Sequence, residues 1–511
     1  MSLHQTAFYI SIESNDMSSG QSAARVVSMD QFRGYTVAGM FLVNFIGSFS
    51  EFHYVLKHNS GFFSYADSIM PSFIFCAGFS YRLTAIRRFA ELGAAKACWS
   101  YIRRSLALVL VSVSIFTFNA DVGDSWSKID QGVGLSGALA EFMFEFMKSG
   151  MWEVLSIIGM TQILLLPVIN RGVASRLIAL FGVAILHLLL SWSFNYDFAN
   201  GFPNWFNSYF GAHNNTVWDG GMFGPVAWAF PMLAGALTYD LIASRTAPKA
   251  WGSLMLASVL LMAGGYLTNC LSRLYDDNPA LQPLVDREKD LLAEQQKVVQ
   301  AELESVKSQI ATFKDANPAA AMPNEELIAL EPDEQLRVRK LRDELRSLNR
   351  REKAFASDVK GFEKKIGSLG KIAVDPVVPS MERLKNAKWG LANLPFVKPD
   401  HDKQLVNYWL MDKKRMVSIP FTLFSTGFGL FLYSLFIVVV DITGLQTGVF
   451  RTLGQNPLAA YIIHEMIMRG FHNLTPDDSP LWWGSLVFGI FFGTTFLMVR
   501  YLEKHRLFLR L

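Results

Sequence analysis

Apolar residues run through this chain in windows of near-spanning length, separated by stretches where charge returns. Ten such windows stand out, at about 34 to 50, 66 to 86, 102 to 119, 151 to 169, 174 to 194, 222 to 240, 250 to 270, 417 to 440, 455 to 470 and 481 to 500. A helix needs about 20 apolar residues to cross the hydrocarbon of a bilayer, so each window predicts a transmembrane helix. The stretch SGALAEFMFEFMKSG, 136 to 150, is too short and too acidic to cross and is expected to lie in the membrane interface. Between the seventh and eighth windows the pattern changes. Val285, Leu292, Val299, Val306 and Phe313 recur every seven residues, and Val338, Leu341, Leu345, Leu348, Phe355 and Val359 alternate by three and four. Both are coiled-coil spacings. The break KDANPAAAMPN has proline and asparagine where a helix should stop, which predicts an antiparallel hairpin projecting about 45 Å. The fold class is therefore an all-α polytopic membrane protein of about ten transmembrane helices, with an extracytoplasmic coiled-coil hairpin between helices seven and eight.

Composition sharpens this picture. Of 511 residues 51% are hydrophobic, the mean hydropathy is +0.24, and the charged residues gather between 285 and 365. That is too apolar for soluble domains of this size. A net charge of +3 with no basic stripe excludes nucleic acid as a partner. Cys76, Cys98 and Cys270 are odd in number and widely spaced, so they indicate core packing, with neither a disulfide framework nor a metal site.

Charge in the short loops sets orientation, because cytoplasmic loops retain Lys and Arg. The connection after the second window carries Arg82, Arg87, Arg88, Lys96, Arg103 and Arg104, whereas the next holds Asp121, Asp124, Asp130, Glu141 and Glu145 against two lysines. Alternation then places both termini in the cytoplasm, in an inner or plasma membrane, and the loops at 51 to 65, 195 to 221, 271 to 415 and 471 to 480 outside. The arm at 1 to 29 lacks the basic and apolar regions of a secretory signal and is expected to stay attached. The chain divides into that arm, a core at 30 to 270, an insertion at 271 to 415, and a core at 416 to 511 that ends in a cytoplasmic tail. The charges of the insertion read as a solvated face, and a partner-binding or homodimerising role stays open. The sequons Asn214 to Thr216 and Asn473 to Thr475 fall on outward loops.

Polar residues at bilayer depth are costly, so they mark candidate chemistry. At the opening of the first window, Asp30 and Arg33 sit at the cytoplasmic edge, and Asn44 lies about 16 Å deeper than Arg33 along a helix. In the loop FHYVLKHNSGFFSYAD, His53 and His58 precede a helix that opens with Asp67. An imidazole titrating near neutrality suits a general base or an acyl carrier. In the ninth window, Asn456 and Pro457 are followed by Tyr461 and by His464 with Glu465 near mid-membrane. Each has a bland alternative: Arg33 as a topology anchor, Asn44 as a packing hydrogen bond, Glu465 as a neutral buried carboxyl.

The strings RVVSMDQFRGYTVAGMFLVN, LKHNSG, ADSIMPSFIFCAGFS, DGGMFGPVAWAFPMLAGAL and GQNPLAAYIIHE, in this order, resemble the heparan-alpha-glucosaminide N-acetyltransferase family of transmembrane acyltransferases. The resemblance covers some 330 residues and omits the hairpin. It implies transfer of an acetyl group from cytoplasmic acetyl-CoA, as cosubstrate and without a metal, to an amino sugar or glycan across the membrane. It further implies His58 and Asn44 as the catalytic residues. His53 remains the competitor of His58. Asp30, Arg33, Asp67, Asn456, Tyr461, His464 and Glu465 are expected to bind the donor or acceptor, with Arg82, Arg87, Arg103 and Arg104 as further phosphate candidates. Whether the acceptor atom is nitrogen or oxygen stays open, as does a direct or an acyl-histidine route. Two other classes compete: a proton-coupled transporter or flippase working through His464 and Glu465, and a scaffold that binds through the hairpin.

Overall fold

The structure is a computed structural model that describes residues 26–59, 61–117, 134–202, 204–206, 216–275, 281–323, 326–327, 330–368, 377–387, 389–398, 407–412 and 415–509. Asp121, Asp124, Asp130, Asn214 and most of the N-terminal arm lie outside them. The described residues form helices and turns, with no strand among them. Among the described residues seven helical stretches are long and apolar enough to cross a membrane, which makes the chain an integral membrane protein. They are built on α2 (Tyr65–Leu92), α3 (Ala94–Ser112), α6 (Val173–Leu190) continued by α7 (Tyr196–Asn200), α8 (Gly224–Ser244), α9 (Ala247–Asn269), α13 (Ile419–Phe436) and α16 (Leu481–Lys504).

The other three expected crossings fall short for separate reasons. Helix α1 (Val27–Ile46) starts well before its apolar window and takes Asp30 and Arg33 into its first two turns. Helices α5 (Val154–Ile169) and α15 (Pro457–His472) have 16 residues each, about 24 Å of rise. The stretch from 136 to 150 is helix α4 (Leu135–Glu145) with a wider turn at Phe146–Gly150, and Leu135, Leu139 and Met143 are exposed along one side.

Helices α2 and α8 form the centre, each 67% buried over its apolar window, whereas α6 is 17% buried and turns Ile178, Phe181 and Ile185 outward. The central pair packs backbone to backbone. A Cβ on Gly78 would lie 1.9 Å from the Met232 carbonyl oxygen, and one on Gly235 would lie 2.0 Å from that of Phe75. Without lipid-excluding hydrophobic force, such close approach of small residues is what holds membrane helices together. The two-turn helix α14 (Gly448–Gln455) crosses the start of α1 in the same way, Gly34 against Phe450 and Gly454 against Asp30. The chain then reverses at Asn456, and α15 climbs beside α1.

In the insertion, α10 (Leu281–Ala316) and α11 (Pro332–Ser368) pack through a shared apolar cluster of Leu303, Val306, Ile310, Phe355 and Val359, with Val299, Leu345 and Leu348 at its margin. Leu303 and Ile310 complete a three-four stripe of which the seven-residue repeat shows only half. Helix α12 (Met381–Asn386) and the segment to 398 return the chain to the bundle.

Candidate functional site

Loop 47 to 64 leads into α2, and its geometry is set by the first turn of that helix. Ser64 and Asp67 form a reciprocal capping box: the Asp67 N–H donates to Ser64 Oγ at 3.3 Å, and the Ser64 N–H donates to Asp67 Oδ2 at 3.1 Å. The Ser64 hydroxyl (2.8 Å) and the Asn59 N–H (3.4 Å) converge on the same Oδ2. The other oxygen, Oδ1, accepts from His58 Nδ1 at 2.9 Å. Asp67 is buried and His58 is 25% exposed. The imidazole is thus tethered through Nδ1–H, which leaves Nε2 as the ring's basic nitrogen. His53 does different work, since its Nδ1 caps the short turn Tyr54–Leu56 by accepting from the Val55 N–H.

The second constellation lies where α1 meets α15. Asn44 Nδ2 donates to His464 Nε2 at 3.3 Å, and His464 Nδ1 donates to the Tyr461 carbonyl at 2.5 Å. A carbonyl can only accept, so Nδ1 carries the ring proton and Nε2 is the acceptor. His464 is fully buried, stacked on Phe41 at 4.9 Å and edge-on to Tyr461. Glu465 turns away to Arg469 at 3.4 Å, and its carboxylate is 4.0 Å from the His464 ring. Glu153 and Asp219, together with Glu465, lie within electrostatic range of Tyr461.

Glu153 and Asp219 were not among the residues expected from the sequence. The available signal was an acidic residue ahead of two glycines in an apolar run. Asp219, Gly220 and Gly221 all have positive φ (46°, 89° and 56°), and a Cβ on Gly221 would lie 3.1 Å from the Lys148 carbonyl. This turn therefore needs small residues and one Asp, which tolerates the left-handed region better than most. Beside it Lys148 is buried between the rings of Phe144 (5.4 Å) and Phe198 (4.5 Å). That burial pushes its amine down from the usual 10.5 to about 7.

The third group is at the opposite end of α1 from Asn44. Arg33 donates to Asp30 Oδ1 (3.1 Å), the Gly454 carbonyl (3.3 Å) and Ser80 Oγ (2.6 Å), so it ties α1 to α2 and α14. Arg82 donates to Asp240 Oδ1 (2.9 Å) and the Ile169 carbonyl (3.0 Å), and Arg176 takes the other Asp240 oxygen. Arg87 pairs with Glu91 at 3.4 Å, while Arg103 is exposed with no partner among the described residues. Asn456 spends its amide on the C-terminal tail, donating to the Leu507 carbonyl (2.9 Å) and accepting from the Leu509 N–H (3.1 Å). The structure therefore joins His58 with Asp67, Asn44 with His464 and Tyr461, and Asp30 with Arg33. It pairs Asn44 with His464 instead of His58, and it leaves Asn456 in a tail clamp.

Residues 25–266 match the family model for heparan-alpha-glucosaminide N-acetyltransferase, catalytic. Over that stretch, just under half of its length, the chain is similar to the catalytic domain of this membrane acetyltransferase family, as the order of its motifs implied. The matched range includes Asn44, the His58–Asp67 pair, Glu153 and Asp219, and ends before α15. No curated protein matches the chain significantly. No group of three or more metal-ligating side chains occurs among the described residues.

Proposed function

We propose that this protein transfers an acetyl group from cytoplasmic acetyl-CoA to an amino sugar or glycan on the other side of the membrane, with His58 as the general base. The observation that carries the reading is the His58–Asp67 pair within the matched catalytic stretch. A carboxylate on Nδ1–H fixes the tautomer and ring orientation and favours the imidazolium that forms when Nε2 takes a proton. The acceptor nitrogen attacks the thioester carbonyl, its proton passes to His58 Nε2, and the imidazolium returns that proton to the sulfur as the C–S bond breaks, so that CoA leaves as a thiol and His58 is regenerated. An amine must be neutral to attack, so the rate should rise with pH until the base and acceptor are both deprotonated. The local role of His53 as a turn cap favours His58 of the two loop histidines.

In this reading α1, α5 and α15 complete a ten-helix bundle, and the Arg33 end of α1 faces the cytoplasm. Asn44, Tyr461 and His464 then line the depth through which the acyl arm reaches the outer loop. Asn44 acts by fixing His464, and its remaining amide oxygen and the Tyr461 hydroxyl supply polar partners along that depth. Arg103, exposed and without a partner among the described residues, is available to meet nucleotide phosphates, whereas Arg82 and Arg176 are engaged by Asp240. The packed helices α10 and α11 form an outward coiled-coil hairpin accessory to the chemistry. Proton relay through His464 is disfavoured because both of its ring nitrogens are occupied.

The test is acetyl transfer from acetyl-CoA to glucosamine by the purified full chain in nanodiscs. His58→Ala should lower turnover by about 10²- to 10⁴-fold, with the protein still folded. Unchanged turnover would remove His58 from the chemistry.

A further inference from the structure

A narrow cleft opens between residues 61 to 63, the end of α9, and the segment of the insertion that returns to the bundle. Two hydrogen bonds fix one wall to α9 and the residue that follows it: the Tyr266 hydroxyl donates to the Ala392 carbonyl at 2.8 Å, and the Ala392 N–H donates to Cys270 Sγ at 3.5 Å. A third, from the Phe396 N–H to the Phe63 carbonyl at 2.7 Å, ties the same wall to the loop that carries His58. Held at both ends, the wall brings Asn393 to the same cleft as Asn269 and Ser272, which lie three residues apart on α9 and its short continuation Cys270–Tyr275.

Asn269 is 7% exposed and Ser272 is 3% exposed. Both residues line the cleft together with Asn393. Polar side chains that converge on one cleft offer hydrogen bonds to whatever occupies it, so two on one helical face with a third on the facing segment can recognise a polar group. The open space of the cleft, about 10 Å³, suits one water-sized group. A carboxamide both donates and accepts, as a sugar hydroxyl does, and the three side chains together complement a single hydroxyl in either role. Gly61, on the rim, is three residues from His58, at most about 11 Å along the chain.

We infer that Asn269, Ser272 and Asn393 form an acceptor-recognition subsite that binds one hydroxyl of a polyhydroxylated acceptor while its amine is presented to His58. The subsite deepens the acetyltransferase reading and rests on it for the part played by His58. One of its walls comes from the insertion, so the insertion contributes to acceptor selection as well as projecting from the bundle.

The experiment measures binding of radiolabelled glucosamine to the full chain in nanodiscs, beside acetyl-transfer kinetics, with a panel of monodeoxy glucosamines. Asn269→Ala and Ser272→Ala should each weaken glucosamine binding by about tenfold or more and raise KM for the amino sugar in step, while KM for acetyl-CoA holds. One deoxy analogue should show the same loss on the wild type and no further loss on the variants. Asn393→Ala, at a half-exposed position of the wall, gives the same readout with little risk to folding. Unchanged glucosamine affinity in all three variants, or no glucosamine binding by the wild type, overturns the subsite. If the wild type binds glucosamine in the cleft but transfers no acetyl group, the acetyltransferase reading falls and the subsite stands.

Discussion

At the scale of single residues, the pairing of His58 with Asp67 is local and was half legible. Ser64 and Asp67 have the spacing of a capping box, and the histidine lies nine positions before the carboxylate. What the spacing does not state is that one carboxylate oxygen serves the helix cap and the other the imidazole. Asp67→Asn should therefore have two separable effects: a fall in kcat of about 10²-fold from a misoriented ring, and about 1 kcal/mol lost from the cap, read respectively by turnover and by melting. Lys148 gives a prediction of another kind. Its folded-state amine releases its proton near 7 and its unfolded-state amine near 10.5, so between those values the unfolded chain holds more protons. Stability should rise as pH climbs through that window, and the burial penalty is complete below it. Melting temperatures in detergent from pH 6 to 9 should rise for the wild type and flatten for Lys148→Met.

At the scale of elements, helix existence followed from apolar length, but helix ends did not. Helix α1 begins at Val27 because Gln31 and Arg33, polar residues that hydropathy would leave outside, find partners on other elements: Gln31 exchanges hydrogen bonds with the Thr447 backbone, and Arg33 reaches Gly454 and Ser80. The crossing of α1 with α14 depends on two glycines. A Cβ on Gly34 would come within 1.8 Å of the Phe450 carbonyl oxygen, a contact that only backbone movement can relieve. Gly34→Ala should cost about 1 to 3 kcal/mol by overpacking, seen as a lower melting temperature and poorer recovery from the membrane. Because α14 sets the start of α15, the same variant should also disturb the Asn44–His464 contact and lower turnover.

At the scale of the molecule, the bundle and the insertion differ in how they are stabilised. In the bundle, pairs such as Asn44 with His464 and Arg82 with Asp240 join separate helices, whereas α10 and α11 meet through a stripe of aliphatic side chains and Phe355. Deleting 285 to 365 and rejoining the chain should therefore leave acetyl transfer within about twofold of the wild type, provided that the wall at 389 to 398 is retained, since surface elements away from a site rarely change its chemistry. Loss of all turnover in that deletion would give α10 and α11 a direct part in catalysis.

By itself, the sequence determined the membrane character, the helical class, the two long helices of the insertion and the order of the family's motifs. Each of these depends on side-chain type and spacing along a few turns. Only the tertiary structure decided that Asn44 meets His464 across 420 positions, that Asp240 holds both Arg82 and Arg176, and that Asn269, Ser272 and Asn393 share one cleft. Periodicity says which face of a helix is apolar. Which polar groups end up opposite one another depends on how closely helices cross, and in this bundle that is governed by the few glycines that let their backbones touch.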